Sequence, residues 1–260
     1  MATWQAIYAS DLQGVYALWI VPLAFLAYLA LAPRSRPSLV APGASPAMRI
    51  YALVFALETM LDPLAGGPLA RGLGVADGWG GTAIAFLFVL LGDFRVLVLV
   101  FYLTAAGARR STGRPADLPL GRIAARAARW TLVVPLAAGL AYGGARLLAG
   151  DLPSQWLWLC YEVAFAALAL GLAHRLVPAE VPPAQARIVA YLRDVLHYVA
   201  LYYALWAAAD VLIVVGGLDA GWALRMVPNQ LYYGLYVPVA YALFFADRYA
   251  ASSSSTQAAR

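Results

Sequence analysis

Five carboxylic acids stand within stretches of sequence that are otherwise apolar: Glu58, Asp62, Asp93, Glu162 and Asp210. An ionised carboxylate that faces lipid at the bilayer centre costs a few kcal/mol or more, so these acids are expected to face a bundle interior or a wet cavity. There they bind cations, carry protons or act as general acids. Arg95 is the one base predicted within a span, so protonation or a bound cation must neutralise the remaining negative charge.

Aromatic side chains share helical faces with these acids, because residues three, four or seven apart lie on one side of a helix. In the fifth predicted span Trp158 precedes Glu162 by one turn, and in the sixth Trp206 precedes Asp210 by one turn. The predicted ligand-binding set is Glu58, Asp62, Asp93, Arg95, Trp158, Glu162, Tyr203, Trp206, Asp210, Asn229 and Tyr233. The alternative for its aromatic members is an interfacial belt, which is our interpretation of Trp79, Trp156 and Trp222.

Other groups in the set have structural alternatives. Asp62 stands before Pro63, which often ends or bends a helix, and an acid near the interface can be hydrated. Arg95 can form an ion pair with an acid on a neighbouring helix or anchor a substrate anion. His174 and His197 fall in a different half of the predicted bundle from the acids, and we expect them to make interfacial hydrogen bonds rather than catalyse a reaction.

Composition places the chain in a membrane, because 63% of its 260 residues are hydrophobic and 12% are charged. One cysteine excludes an intramolecular disulfide framework, and two histidines leave little material for a metal site, so we predict neither a metal nor a cofactor. Lysine is absent, which excludes a retinal Schiff base and a Walker-type phosphate loop. The net charge of +5 does not form a separate basic surface, so nucleic acid is not a predicted partner.

Seven stretches are long enough to cross a hydrocarbon core of about 30 Å, which needs roughly 20 helical residues. We therefore predict an all-α polytopic membrane protein that forms a seven-transmembrane-helix bundle. Residues 1–250 form its single domain, and residues 251–260 form a disordered cytoplasmic tail. The predicted helices are near 12–33, 47–66, 79–106, 130–149, 154–176, 187–216 and 226–247.

The arginines predict how this bundle is oriented. Fourteen of the 18 fall in the odd-numbered loops and the tail, whereas Arg71, Arg146 and Arg225 fall in the loops on the other side. By the positive-inside rule, the N-terminus is outside and the C-terminus is cytoplasmic. The protein is then a multi-pass protein of a bacterial inner membrane. Arg122, Arg126 and Arg129 form a basic stripe that we interpret as an anchor to anionic lipid, with partner docking as the alternative.

Three functions remain open from these patterns. The first is binding or transport of a cation, a proton or a small cationic or amphipathic molecule through an outward-opening pocket. The second is an intramembrane enzyme that uses a carboxylic acid as general acid on a lipid-soluble substrate, with Glu58 and Asp210 as its catalytic residues. The third is a sensor or accessory protein without retinal. Lipid and a small ligand are the predicted partners, and no oligomeric state is predicted.

The enzyme hypothesis also draws on a resemblance. The architecture is similar to that of the small seven-helix integral-membrane terpene cyclases. That family uses an acid in its second helix and another near its C-terminal end, without a metal-binding aspartate-rich motif. The resemblance implies that Glu58 matches the first acid. Asp210 matches the second approximately, since it lies in the sixth span and the seventh has Asn229 instead.

Overall fold

The computed structural model describes residues 3–32, 38, 40–76, 78–111 and 119–249. Six of its helices are long and apolar enough to cross a membrane, and the described residues contain no β-strand. The predictions of an all-α fold and of a multi-pass membrane protein are therefore confirmed. The six helices are α1 Leu12–Leu31, α2 Ser45–Gly72, α3 Trp79–Arg110, α4 Leu120–Ala149, α5 Gln155–Glu180 and α6 Pro183–Val214.

A further helical run, α7, covers residues 220–244 and is not among these six. It consists of Ala220–Asn229, a π-helical turn at Gln230–Leu235, and Tyr236–Phe244. The polar sequence PNQ at its centre makes α7 less apolar than the other helices. That same polar centre lies beside the cavity described below.

Several helices are longer than the sequence predicts. α4 begins at Leu120 rather than near residue 130, because the basic segment is helical and joins the apolar part through a turn at Leu132. α2 continues past residue 66 through a π-helical turn at Ala65–Leu69. Hydropathy marks the apolar part of a helix, whereas the helix itself continues into the polar layer.

A short helix, Thr3–Tyr8, packs against α7 at one end of the bundle. The backbone N–H groups of Trp4 and Gln5 donate to the Asp219 carboxylate at 2.8 and 3.2 Å, and the rings of Tyr8 and Trp222 lie 5.2 Å apart. We call this end of the bundle the cavity end, because Tyr8 lines both of the cavities described below. The predicted tail 251–260 lies outside the described residues, as do Arg34, Arg36 and Arg114, which the orientation prediction uses.

The opposite end, which we call the arginine-rich end, is held by ion pairs between helices. Both terminal nitrogens of Arg126 donate to Glu180, at 2.6 and 2.8 Å, and the guanidinium lies 4.2 Å from the centre of the Phe101 ring. Arg126 of the basic stripe therefore pairs with protein, whereas Arg122 and Arg129 are exposed. The core of the bundle is rich in tyrosine. One of its members is Tyr191, whose hydroxyl donates to the Ala240 carbonyl at 3.0 Å.

Candidate functional site

A cavity of about 180 Å³ lies between α5, α6, α7 and the N-terminal helix, which we call the aromatic cavity. α5, α6 and α7 each contribute residues one turn apart, so the helical spacing does place these side chains together. Six predicted site residues line it: Trp158, Glu162, Tyr203, Trp206, Asn229 and Tyr233. The sequence analysis missed four further lining residues that can contact a ligand through polar atoms: Tyr8, Tyr161, Arg225 and Tyr232.

Arg225 organises the charged part of the cavity. Its Nη1 donates to Asp210 Oδ1, its Nη2 lies 3.6 Å from Glu162 Oε1, and the Tyr8 hydroxyl is within hydrogen-bonding reach of its guanidinium. The prediction that Arg225 lies in a loop is wrong, because it lies within α7. The signal that could have found it is its position one turn before Asn229, on the same helix face.

The carboxyl groups of Glu162 and Asp210 lie within hydrogen-bonding range of each other. Glu162 Oε2 and Asp210 Oδ2 are both buried, and neither accepts a hydrogen bond from an N–H or O–H group of the described residues. Two ionised carboxylates repel at this separation, so the pair is stable when the two groups share a proton or when a cation neutralises them. One arginine compensates one of the two negative charges. The other charge has no counterpart in the cavity wall.

Neutral hydrogen bonds fix the remaining polar side chains of the wall. Trp206 Nε1 donates to Asn229 Oδ1 at 2.8 Å, and Asn229 Nδ2 lies 3.4 Å from the Tyr8 hydroxyl. The indole therefore orients the amide, and the amide contacts the N-terminal helix. This chain connects α6, α7 and the N-terminal helix around the opening of the cavity.

Asp93 lies behind the cavity wall and is 1% exposed. The hydroxyls of Tyr161 and Tyr203 both donate to its carboxylate. Both tyrosine rings line the cavity, so Asp93 sets their orientation from α3 without reaching the cavity itself. Asp93, a predicted ligand residue, therefore contacts two side chains of the cavity wall and does not line the cavity.

Arg95 forms a second charged centre that is closed. It is fully buried, its Nη1 donates to Glu58 Oε2 at 3.1 Å, and its Nη2 donates to the Tyr232 carbonyl at 2.8 Å. The rings of Tyr232 and Tyr236 lie 4.1 and 5.1 Å from the guanidinium carbon. Of the two interpretations of Arg95, the structure supports the ion pair with an acid on a neighbouring helix.

A glycine allows this centre to pack tightly. A Cβ atom on Gly92 would lie 1.5 Å from the Tyr232 hydroxyl oxygen, which is far inside van der Waals contact. Gly92 therefore lets α7 approach α3, and that approach brings the Tyr232 ring over Arg95. The sequence Gly-Asp-Phe-Arg in α3 combines this close contact with the two buried charges at Asp93 and Arg95.

A second cavity of about 260 Å³, which we call the vestibule, opens at the cavity end. It shares Tyr8, Asn229 and Tyr233 with the aromatic cavity, so these three side chains form the partition between the two. Asp62 is buried within reach of the Tyr233 hydroxyl, behind this partition. Val15 and Leu18 of α1 also line the vestibule, so α1 contributes to the site.

An ion pair stands at the vestibule mouth, where Arg71 Nη2 contacts Asp11 Oδ1 and both side chains are about half exposed. Such an exposed pair contributes little to stability, so it can open without a large cost. The vestibule therefore lies at the bundle surface, the partition lies behind it, and the aromatic cavity with Glu162 lies behind the partition.

The two acids predicted as catalytic residues lie at different centres. Glu58 is paired with Arg95, and Asp210 is paired with Arg225. Neither side chain is among those that line the aromatic cavity, although Asp210 contacts two that do. No family model, curated protein or solved structure matches the chain. Fold and site define a multi-pass helical membrane protein with two buried arginine–carboxylate centres, one closed and one beside a cavity.

Proposed function

We propose that the protein binds a small organic cation in the aromatic cavity in exchange for a proton, as part of cation transport across a bacterial inner membrane. In this proposal α7 is the seventh span, the N-terminus is outside and the C-terminus is cytoplasmic. The arginine distribution supports this orientation, because the arginine-rich end then faces the cytoplasm. The vestibule and aromatic cavity would open to the outside.

The observation that carries the proposal is the carboxyl pair of Glu162 and Asp210 beside an aromatic wall. Its two buried oxygens accept no hydrogen bond from an N–H or O–H group of the described residues, and Arg225 compensates one of the two charges. A cation in the cavity supplies the missing charge in place of the shared proton. The faces of Trp158, Trp206 and the cavity tyrosines attract a desolvated cation, at about 0.5–2 kcal/mol for each good contact.

Exchange follows from this charge balance. With a proton on the carboxyl pair the cavity is neutral and has no excess attraction for a cation. When the proton leaves, the pair carries a second negative charge, which favours entry of a cation from the vestibule. A bound cation therefore disfavours protonation, and a bound proton disfavours the cation, as linkage requires.

The test measures cation binding and proton release together. Purified protein in nanodiscs and weak buffer is titrated with benzyltrimethylammonium, while calorimetry reports binding and a pH indicator reports protons. We expect saturable binding with release of about one proton, and neither effect with the neutral analogue neopentylbenzene. Glu162→Gln should lose the proton release, whereas Glu180→Gln, which changes a carboxylate at the arginine-rich end, should retain it. Equal binding of the neutral analogue, or proton release that persists in Glu162→Gln, contradicts the proposal.

One observation favours a second candidate function. A protonated carboxyl group beside aromatic faces is also the arrangement that a general acid needs to generate and stabilise a carbocation. Asp210, the approximate match to the terpene cyclases, belongs to the carboxyl pair. Incubation of the purified protein with linear isoprenoids tests this alternative, since a cyclised product that disappears in Asp210→Asn would support an enzyme over a transporter.

A further inference from the structure

The two histidines of the chain meet on the surface of the bundle. The Nε2 atoms of His174 on α5 and His197 on α6 are hydrogen-bonded at 2.9 Å, and their ring centres are 5.0 Å apart. Both rings are exposed. The sequence assigns each histidine separately to an interfacial hydrogen bond and predicts no metal site. Their convergence on neighbouring helices supports a different function.

We propose that this histidine pair binds a divalent transition-metal ion of the Cu²⁺, Ni²⁺ or Zn²⁺ class through both Nε2 atoms. Metal–imidazole bonds of about 2.0–2.1 Å that meet at 90–109° place the two nitrogens about 2.9–3.4 Å apart. The observed separation lies at the lower end of this range, which corresponds to neighbouring ligands in a square-planar Cu²⁺ or Ni²⁺ site. Both rings can bind one ion when each carries its hydrogen on Nδ1.

The local backbone at His174 gives independent support. His174 lies within the π-helical turn Leu172–Leu176, and π turns are rare insertions that occur frequently at functional sites. The preceding residues Leu172 and Ala173 are buried, so the turn is packed against the bundle while the imidazole points away from it. The π turn that contains His174 packs against α6.

The depth of the pair makes it accessible to aqueous ions. His174 lies about 28 Å along α5 from Gln155, and His197 lies about 26 Å along α6 from Val214, at a rise of about 1.5 Å per residue. A hydrocarbon core is about 30 Å thick, so a core whose far boundary lies at Gln155 and Val214 would place both rings near its other boundary, at the arginine-rich end. Water or headgroup oxygens can complete the coordination there.

Neighbouring charges restrict which metals can bind. Arg175 and Arg193 are exposed near the pair along their helices, and their positive charge weakens the binding of any cation. Asp194 is already engaged, because Arg248 and Tyr249 donate to it at 2.6 and 2.8 Å. Among the described residues, no three metal-ligating side chains come together. The site therefore favours metals with high imidazole affinity over Mg²⁺ and Ca²⁺, which prefer oxygen ligands.

Electron paramagnetic resonance of bound Cu²⁺ tests the proposal. The full chain, purified with a histidine-free affinity tag, is placed in phosphatidylcholine nanodiscs and given one equivalent of Cu²⁺. We expect a spectrum with two equatorial imidazole nitrogens, which is lost in His174→Gln and in His197→Gln and retained in the control Cys160→Ser. The proposal is overturned if the spectrum is unchanged in either glutamine variant or if no Cu²⁺ is retained.

A second measurement uses the unmodified protein and does not depend on variants that fold. Diethylpyrocarbonate modifies accessible imidazoles, and mass spectrometry locates the modified residues. Zn²⁺ should protect both histidines together, whereas Mg²⁺ should protect neither. Equal modification with and without Zn²⁺ would also overturn the metal site. Neither measurement involves the aromatic cavity, so the result is independent of the proposed cation exchange.

Discussion

Arg95 and Arg225 are both held by carboxylates inside the helix bundle, but their surroundings differ. The Arg95 side chain is 0% exposed and lies against two tyrosine rings, whereas the Arg225 side chain is 13% exposed and lines a cavity with two acids beside it. Arg95 has one salt bridge, to Glu58, with Asp62 and Asp93 buried nearby, whereas Arg225 has salt bridges to both Glu162 and Asp210. The first centre is closed, which suits a structural role. The second has a cavity beside its two acids, which suits an exchangeable ligand.

The largest expected effect is on stability, at the closed centre. Arg95→Gln leaves Glu58 buried without its charged partner, and breaking a buried ion pair in this way costs about 3–5 kcal/mol. Thermal unfolding in detergent should show this loss. Arg225→Gln is the matched control and should unfold closer to the unchanged protein, since Arg225 is partly exposed to a cavity where water can solvate the two acids. Equal losses in both variants would remove the distinction between the centres.

A somewhat smaller loss of stability is expected at the contact between α3 and α7. Gly92→Ala places a methyl group on the Tyr232 hydroxyl, and overpacking of this kind costs about 1–3 kcal/mol. Gly144→Ala in α4 is the control, because a Cβ there meets no atom within 4 Å. The same unfolding assay compares the two, and a stable Gly92→Ala variant would show that α7 is not held against Arg95 as described.

The next prediction concerns ligand binding and separates the acids of the two centres. Glu162→Gln should weaken binding of benzyltrimethylammonium about tenfold, which corresponds to about 1.4 kcal/mol at 25 °C. Glu58→Gln should leave that affinity within a few fold, because Glu58 is committed to Arg95. Calorimetry on both variants decides the point. A stronger effect of Glu58→Gln would mean that the cation binds at the Arg95 centre, which contradicts binding in the aromatic cavity.

The smallest expected effect is at the partition between vestibule and cavity. Tyr8→Phe keeps the ring but removes the hydroxyl near Arg225 and Asn229, and a hydrogen bond of this kind contributes about 0.5–1.5 kcal/mol. The cation should therefore dissociate a few times faster, while unfolding is nearly unchanged. Stopped-flow measurement of dissociation tests this, with Tyr142→Phe on α4 as a control outside both cavities. Unchanged dissociation would argue against a gating role for Tyr8.

The sequence predicts the six apolar helices and the burial of all five intramembrane acids, because hydropathy and the cost of lipid-facing charge are local properties. It does not predict how the acids divide between Arg95 and Arg225, since that depends on how helices pack across the bundle. The sequence predicts Arg225 in a loop because the polar residues around Asn229 interrupt the hydropathy of α7. Tyr161 and Tyr232 gave no signal that distinguishes a cavity wall from an interfacial aromatic residue.

The N-terminal helix joins parts of the chain that are far apart in sequence. Trp4 and Gln5 donate to Asp219, and the rings of Tyr8 and Trp222 lie 5.2 Å apart, so this helix docks on α7, about 215 residues later in the chain. Its docking surface therefore exists only when α7 is in place, and so does the contact of Tyr8 with Arg225. A chain truncated before Asp219 would lack this contact and would leave Glu162 and Asp210 without Arg225.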